Sequence, residues 1–372
     1  MQALLTLNAL PKVGPIRIRR LIQQFGSPEA VLKQSTTALL SVHGVGPEIA
    51  EIIRSHGSIF DPDKELAACE QLGITLLTPE SELWPRGLDE VDGGPVLLYV
   101  KGELSPADRH AVGIVGSRRC SHYGREVTRL FGSRLARSGY TILSGLALGI
   151  DTIAHEAALE TGGRTIAILG SGLTRLYPRE NKPLAQAIAD GQGAVISEFP
   201  LGSPPDKQSF PQRNRIVASW SKALVVTECS RRSGSLITAG YANDAGRSVF
   251  AVPGPIDRPS SEGCHDLIRD GAILAYHPDQ VADDLRSLPM HSRARAEPAK
   301  QQELLPLPTL TPEEELVFSH LDTRERSIDE LTAAAGLPVY QVSTILLGLE
   351  MKGAARQIAG QRYVRNGIIG HS

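Results

Sequence analysis

Between residues 74 and 276, short runs of consecutive apolar side chains alternate with longer stretches in which apolar residues recur every three or four positions. The runs are ITLLT (74–78), VLLYV (96–100), VGIVG (112–116), YTILSG (140–145), TIAILG (165–170), GAVISE (193–198), KALVVTE (222–228), SVFAVPG (248–254) and AILAY (272–276). Each reads as a strand. Because the runs are near-continuous in apolar residues, the strands are expected to be covered on both faces. Helical spacing fills 123–138, 151–161, 181–190 and 235–246. Strands separated by helices predict an α/β fold built on a Rossmann-like, mostly parallel sheet, with ligands beyond the carboxyl ends of the strands.

The two ends of the chain read differently. LPKVGPIRIRRLIQQFG (10–26) and VHGVGPEIAEIIRSHG (42–57) each set Val-Gly-Pro ahead of an amphipathic helix. This echo resembles a tandem helix-hairpin-helix of the sterile-alpha-motif-like (SAM-like) kind found in DNA-repair proteins. In such a hairpin the glycine allows a tight turn and presents helix-N-terminal amides to a phosphate oxygen. The plainer alternative is a helical bundle in which the turns only set packing, and Glu48 and Glu51 beside the second hairpin favour it. The segment LPMHSRARAEPAKQQELLPLPTLTP (288–312) has neither hydrophobic period and reads as an extended, mobile linker. Beyond it, a helix, a helix-turn-helix and a hairpin over 311–366 resemble a winged helix. The would-be recognition helix, VYQVSTILLGLEMKG, offers almost no side chain for base edges, so a protein-contact or regulatory role is expected there. The expected organisation is a helical domain over 1–75, a Rossmann-like domain over 76–287, a linker over 288–310 and a winged-helix-like domain over 311–372.

Composition narrows this picture at a few points. The 372 residues are too many for one ordinary core, and 41% hydrophobic with 22% charged is usual for a globular chain. A formal net charge of −2 provides no global positive field, so any polyanion must meet a local patch. Cys69, Cys120, Cys229 and Cys264 are far apart in sequence and form no C-x-x-C pair, which suggests inert thiols in a reducing compartment. The first residues lack a basic leader and a cleavage site, and no apolar run approaches the length of a membrane span. A cytoplasmic protein without membrane contact, cofactor or metal is expected.

Catalytic templates are missing. There is no P-loop, no H-E-x-x-H and no G-x-S-x-G elbow. LGSGLTRLYP (169–178) has G-x-G after a strand, but Arg175 stands where a dinucleotide fingerprint needs its third glycine. Four segments at strand ends remain. They are Gly116-Ser117-Arg118, Ser144-Gly145, the loop that reaches Arg179, and Arg232-Ser233-Gly234-Ser235. Each supplies small residues or donors that suit an anion, and together they suggest a row of phosphate sites. KQSFPQRNRIVAS (207–219) adds Lys207, Phe210 and Arg213-Asn214-Arg215 ahead of a helix. An aromatic among cations suits single-stranded nucleic acid, with a face for a base and charge for the backbone. Phe210 taken alone reads as a core aromatic, the R-N-R triplet could be a salt-bridge and capping cluster, and Asn214 could hold a loop. Asp151 and His155, one helical turn apart, read better as a helix-capping aspartate and a packed histidine than as an acid–base pair.

GIVGSRRCSHYG, LSGLALGIDTIAHEAAL, TIAILGSGLTRLYPREN, ISEFP, FPQRNRIVAS, SGSLITAGYA, GRSVFAVPGP and GCHDLIRDGA, in this order, resemble the DNA-processing protein family DprA, also called Smf. The resemblance spans the central block, and the flanking segments fit the arrangement in many members. It implies a homodimer that binds single-stranded DNA without sequence preference, protects incoming DNA during natural transformation and loads the recombinase RecA. It further implies DNA contacts from Arg118, Arg179, Lys207, Phe210 and Arg213-Asn214-Arg215, and a dimer-forming region from His265 to Leu274. One departure stands out: Leu148 replaces a residue that is commonly basic in the family, and a neighbour such as Arg119 could substitute. The same fold group includes nucleotide phosphoribohydrolases of the lysine-decarboxylase-like type. Their catalytic glutamate has no counterpart here, because Ala239, Gly240 and Tyr241 follow Thr238 in SGSLIT. Binding is therefore preferred to catalysis.

Overall fold

The computed structural model describes residues 1–91, 93–287, 310–322, 326–352, 354–358 and 362–365. It divides into two compact units, Met1–Pro289 and Met290–Ser372. Apart from Leu310, the expected linker over 288–310 lies outside the described residues.

All nine runs read as strands are strands: β1 Ile74–Leu77, β2 Leu98–Gly102, β3 Ala111–Val115, β4 Thr141–Ser144, β5 Thr165–Leu169, β6 Gly193–Ser197, β7 Ala223–Val226, β8 Ser248–Ala251 and β9 Ile273–Leu274. They form one sheet in the order β1-β2-β6-β5-β4-β3-β7-β8-β9. From β6 to β9 every pairing is parallel, while β2 runs antiparallel to both β1 and β6. Helices His122–Arg137, Ile150–Glu160, Lys182–Asp190, Ser209–Trp220 and Gly234–Asp244 join the parallel strands. Every residue of β3, β4, β5, β6 and β7 is buried, as their unbroken apolar runs require. Each buried valine, leucine or isoleucine contributes about 1.5–3 kcal/mol. β2 begins two residues later than the sequence suggests. Val96 and Leu97 are instead spent in the core beneath the N-terminal helices.

Those helices include Pro15–Phe25 and Pro47–Arg54, each opened by the proline of a Val-Gly-Pro turn at a position that has no amide bond to lose. The two hairpins brace each other: Arg17 donates to Gly44 O at 2.7 Å and to Lys12 O at 3.0 Å. Arg19 donates to the carbonyls of Gly94 and Pro95, and the helices share a core with Ile74, Val96, Leu97 and Tyr99. The helical segment is thus packed onto the antiparallel edge of the sheet within one unit.

In the second unit, helices Pro312–Ser319, Ile328–Ala335 and Val339–Met351 pack on strands Arg326–Ser327, Ala355–Ile358 and Arg362–Arg365. Capping boxes start the first two helices, at Thr311 with Glu314 and at Ser327 with Glu330, and Gly336 ends the second with φ 65°. This is a winged helix. Val339, Tyr340, Leu347 and Met351 of its third helix are exposed, which accords with the apolar surface read from the sequence. Among the described residues, no single helix is long and apolar enough to cross a membrane.

All four cysteines are free thiols, as the spacing suggests, and the fold brings two of them together. Cys229 and Cys264, 35 residues apart, meet in the core with their sulfurs 3.8 Å from each other, both as free thiols. Cys229 follows β7 and Cys264 lies on the helix Glu262–Arg269 after the neighbouring β8, so adjacent strands bring together what the spacing kept apart.

Candidate functional site

β3 and β7 are neighbours from which the chain departs in opposite directions, to β4 through β6 on one side and to β8 and β9 on the other. At such a switch point the two crossovers diverge and leave a crevice beyond the strand ends. A cleft of about 760 Å³ opens there, walled by the loops after β3, β4 and β7 and by the helix Ser209–Trp220.

The backbone amides of this crevice are mostly taken. Ser117 N donates to Glu228 O at 2.7 Å. The buried Glu228 carboxylate accepts from Ser121 N at 3.1 Å and from Ser121 Oγ at 2.5 Å, at the start of the helix His122–Arg137. A Cβ at Gly124, in the first turn of that helix, would lie 2.1 Å from Glu228 Oε2, so only glycine lets the carboxylate approach. The helix N-terminus that receives the pyrophosphate in a dinucleotide-binding fold therefore already holds an internal anion. After β4, Asp151 accepts from the amides of Gly145 at 3.1 Å and Ala147 at 3.3 Å. After β7 the arrangement differs. Ser233 caps the helix Gly234–Asp244 beside Arg232 and Ser235, and among the described residues no carboxylate bonds its first-turn amides. The expected row of phosphate sites thus reduces to one helix start that no described carboxylate occupies and a set of cations.

The stretch expected to precede a helix is itself helical, since a proline in the first turn, Pro211, is tolerated there. Phe210, Arg213, Asn214 and Val217, spaced i, i+3, i+4 and i+7, turn one face of this helix to the cleft. Phe210 lies against Gly170, where a Cβ would come 2.8 Å from its Cδ1. The ring of Tyr177 stands 5.9 Å from that of Phe210, tilted by 49°, and the Arg118 guanidinium sits 5.4 Å from the Phe210 centroid. Tyr177, Leu148 and Pro178 shape a recess of about 40 Å³ beside Phe210.

Arg118, Arg119, Lys207, Arg213 and Arg232 line the main cleft against a lone carboxylate among its lining residues, Asp151. Four of these cations are exposed. Arg213 is buried and donates to the carbonyls of Gly145 and Ile168. Burial lowers its pKa to about 10, Asp151 opposes that fall and the charge of Arg118 adds to it, so Arg213 stays charged at neutral pH. Burial raises the Asp151 carboxyl, with Arg213 opposing. His155 is fully buried, shares a hydrogen bond of 2.6 Å with Thr165 Oγ1, and is lowered to about 3 by burial and by Arg213. It is a neutral packing residue. The Asp151–His155 pair is structural.

The cleft gathers Gly116, Ser117, Arg118, Gly145, Lys207, Phe210, Arg213, Asn214, Ser233, Gly234 and Ser235 from among the expected contacts. Two others are corrected. Ser144 is fully buried and donates to Ile114 O at 2.6 Å, so it faces the sheet and not the cleft. Arg215 lies about 200° round the helix from Arg213 and pairs with the buried Glu198. Arg179 is exposed beside Pro178 but lines neither cavity. In the expected dimer region, the His265 ring shares a hydrogen bond of 3.0 Å with Gly254 O, whereas Leu274 is exposed on the edge strand β9. Tyr177 was missed, although an aromatic next to the arginines of TRLYPRE carries the same signal as Phe210 among its cations.

A Rossmann-like sheet with a cationic, aromatic cleft at its switch point, preceded by helical hairpins and followed by a winged helix, defines a class of three-part α/β proteins. The chain belongs to the DNA recombination-mediator protein A family, DprA or Smf, whose model matches residues 75–286. Models for the DprA winged helix and for a SAM-like helix-hairpin-helix tandem match 298–361 and 4–56. Protein Smf of Synechocystis is 35% identical over 95% of this chain and 96% of its own length, and Protein Smf of Escherichia coli is 40% identical over 82% and 80%. The structure of DNA processing protein A from Streptococcus pneumoniae aligns with a TM-score of 0.66 at 34% identity, covering 78% of this chain and 99% of that one. DNA processing protein A from Helicobacter pylori, whose structure is described for its single-stranded DNA binding mode, aligns with a TM-score of 0.52 at 30% identity, covering 57% and 95%.

Proposed function

We propose that the protein binds single-stranded DNA, without sequence preference, in the cleft at the β3–β7 switch point. The observation that carries this reading is the grouping of Phe210 and Tyr177 with Arg118, Arg119, Lys207 and Arg232. A base stacks on the exposed aromatic surface, and the flanking phosphates meet the guanidinium and ammonium groups and the carboxylate-free helix start at Ser233. Stacking and phosphate contacts, on which this reading rests, do not depend on base identity. A duplex binds poorly because its bases are unavailable for stacking. Arg119, exposed in the cleft, supplies charge where Leu148 supplies none.

The same reading gives the protein its setting. It acts in the cytoplasm as a homodimer around 265–274, protects incoming DNA in natural transformation and delivers it to RecA. The exposed edge strand β9 at Ile273 and Leu274, which pairs only with β8 among the described residues, supports self-association, and two clefts on one strand gain affinity by avidity. Binding is favoured over glycosidic cleavage because Asp151, the carboxylate among the lining residues, is buried and accepts from two amides.

Fluorescence anisotropy with matched single- and double-stranded oligonucleotides over a salt series tests this function. Strong preference for the single strand is expected, and equal affinity for both forms would refute the stacking argument. Release of free base from nucleoside monophosphates by the same preparation would establish the enzyme alternative instead.

A further inference from the structure

A second cleft, of about 400 Å³, lies on the opposite rim of the same sheet. Its walls come from segments that enter strands instead of leaving them. Asp108 and Arg109 precede β3, Lys222 precedes β7 and Arg247 precedes β8. The helix Ser209–Trp220, about 18 Å long, begins with Phe210 in the first cleft and ends with Trp220 in this one.

Charge in this cleft is unbalanced. Arg86, Arg109, Lys222 and Arg247 line it together with Glu82 and Asp108. Asp108 is buried and already satisfied: Arg164 donates to both its oxygens at 2.9 Å, Thr141 Oγ1 donates at 2.8 Å and Ser105 N at 2.7 Å. Arg86, Arg109 and Lys222 are exposed, and no ion pair is seen for them among the described residues. Arg247 pairs with Glu90 at 2.6 Å, yet its Nε is buried with no hydrogen-bond partner among the described residues. His110, beside the cleft, is held below its ordinary pKa by burial and by the charges of Arg109 and Lys222, so those two charges act on the same small volume. The floor is apolar. Trp84 Nε1 donates to Asp89 at 3.0 Å and Trp220 Nε1 to Asp108 O at 2.9 Å, which leaves neither indole a donor for a ligand.

We propose that this cleft binds a small oligophosphate, a pyrophosphate or the phosphate chain of a nucleotide. Arg86, Arg109 and Lys222, which come from three segments and have no ion pair among the described residues, repel one another, and a single monovalent anion leaves most of that repulsion in place. A multivalent anion removes it, and the forked donors of arginine match phosphate oxygens. The volume suits such a ligand and its bound water. This inference does not depend on DNA binding in the first cleft.

The chain contains two tryptophans, Trp84 and Trp220, and both line this cleft, so intrinsic indole fluorescence reports on it directly. Titration with pyrophosphate at constant ionic strength is expected to give a saturable change that an equal ionic strength of chloride does not. Replacing exposed Lys222 and Arg109 together by alanine should weaken this binding at least about tenfold, the equivalent of one charge-assisted hydrogen bond. The unliganded thermal midpoint checks that the double variant is folded. Arg118→Ala should leave the response intact. A titration without a saturable change overturns the proposal. So does a response that Arg118→Ala abolishes and the double variant keeps, which would place the anion in the first cleft. In the Arg118→Ala background, a single-stranded oligonucleotide at matched phosphate concentration distinguishes the sources. A response to pyrophosphate alone assigns a free anion, and a response to both assigns the phosphates of a strand.

Discussion

Arg118→Ala removes the exposed cation that stands 5.4 Å from the Phe210 ring centroid at the mouth of the first cleft. A hydrogen bond to a charged group contributes roughly 1.5–3 kcal/mol, and an exposed, hydrated guanidinium belongs at the low end of that range. A loss of about 1–2 kcal/mol follows, roughly five- to thirtyfold in affinity at low salt. Losing one phosphate contact on a single strand should also flatten the dependence of log affinity on log salt by about 0.7, so mutant and parent converge as salt rises. Arg118→Lys separates the two contributions. It keeps the charge and the slope but loses the planar group over Phe210, worth up to about 1 kcal/mol. Anisotropy with labelled homopolymer and mixed-sequence strands over a salt series measures both quantities. An unchanged affinity and slope for Arg118→Ala, or a loss confined to one sequence, would refute the assignment.

Gly170→Ala places a methyl against Phe210 and should weaken single-strand binding several-fold while costing about 1–3 kcal/mol of stability, measured by anisotropy and urea unfolding. Burial holds His155 at about 3, so between that value and its ordinary one near 6.5 the unfolded chain binds the extra proton. Stability should be intact above about pH 6.5 and decline toward pH 3 by up to about 1.4 kcal/mol per unit. His155→Gln should make that decline shallower in thermal melts. Asp151 and Glu198, whose carboxyls burial raises, act in the opposite sense in both proteins and cancel in the comparison. Leu274→Glu, on the exposed edge of β9, should give a monomer by light scattering, with short oligonucleotides bound as before and long ones more weakly.

The sheet was legible in the sequence because burial on both faces leaves a mark that needs no partner to be seen. β3 to β7 are apolar at nearly every position, and the amphipathic stretches between them supply the helices that cover them. Arg118, Lys207 and Phe210 were legible as well, since a cation beside a strand end or an aromatic is a local pattern. The helix Ser209–Trp220 was not. Its arginines, asparagine and early proline hide the apolar period, and without the helix the separate directions of Arg213 and Arg215 could not be assigned.

The remaining features are pairings between distant residues. Glu228 reaches Ser121 across 107 positions and occupies the helix start that a nucleotide phosphate would use. Asp151 takes the amides of Gly145 and Ala147, Tyr177 comes to rest beside Phe210, and two cysteines meet in the core. The sequence by itself determined the class of fold and the presence of cations and an aromatic at its ligand-binding edge. The tertiary structure alone decided which amides remain open, which arginines are buried and where a second cationic cleft forms. Those outcomes depend on which loops the strand order brings together, and strand order is not written in any local run of residues.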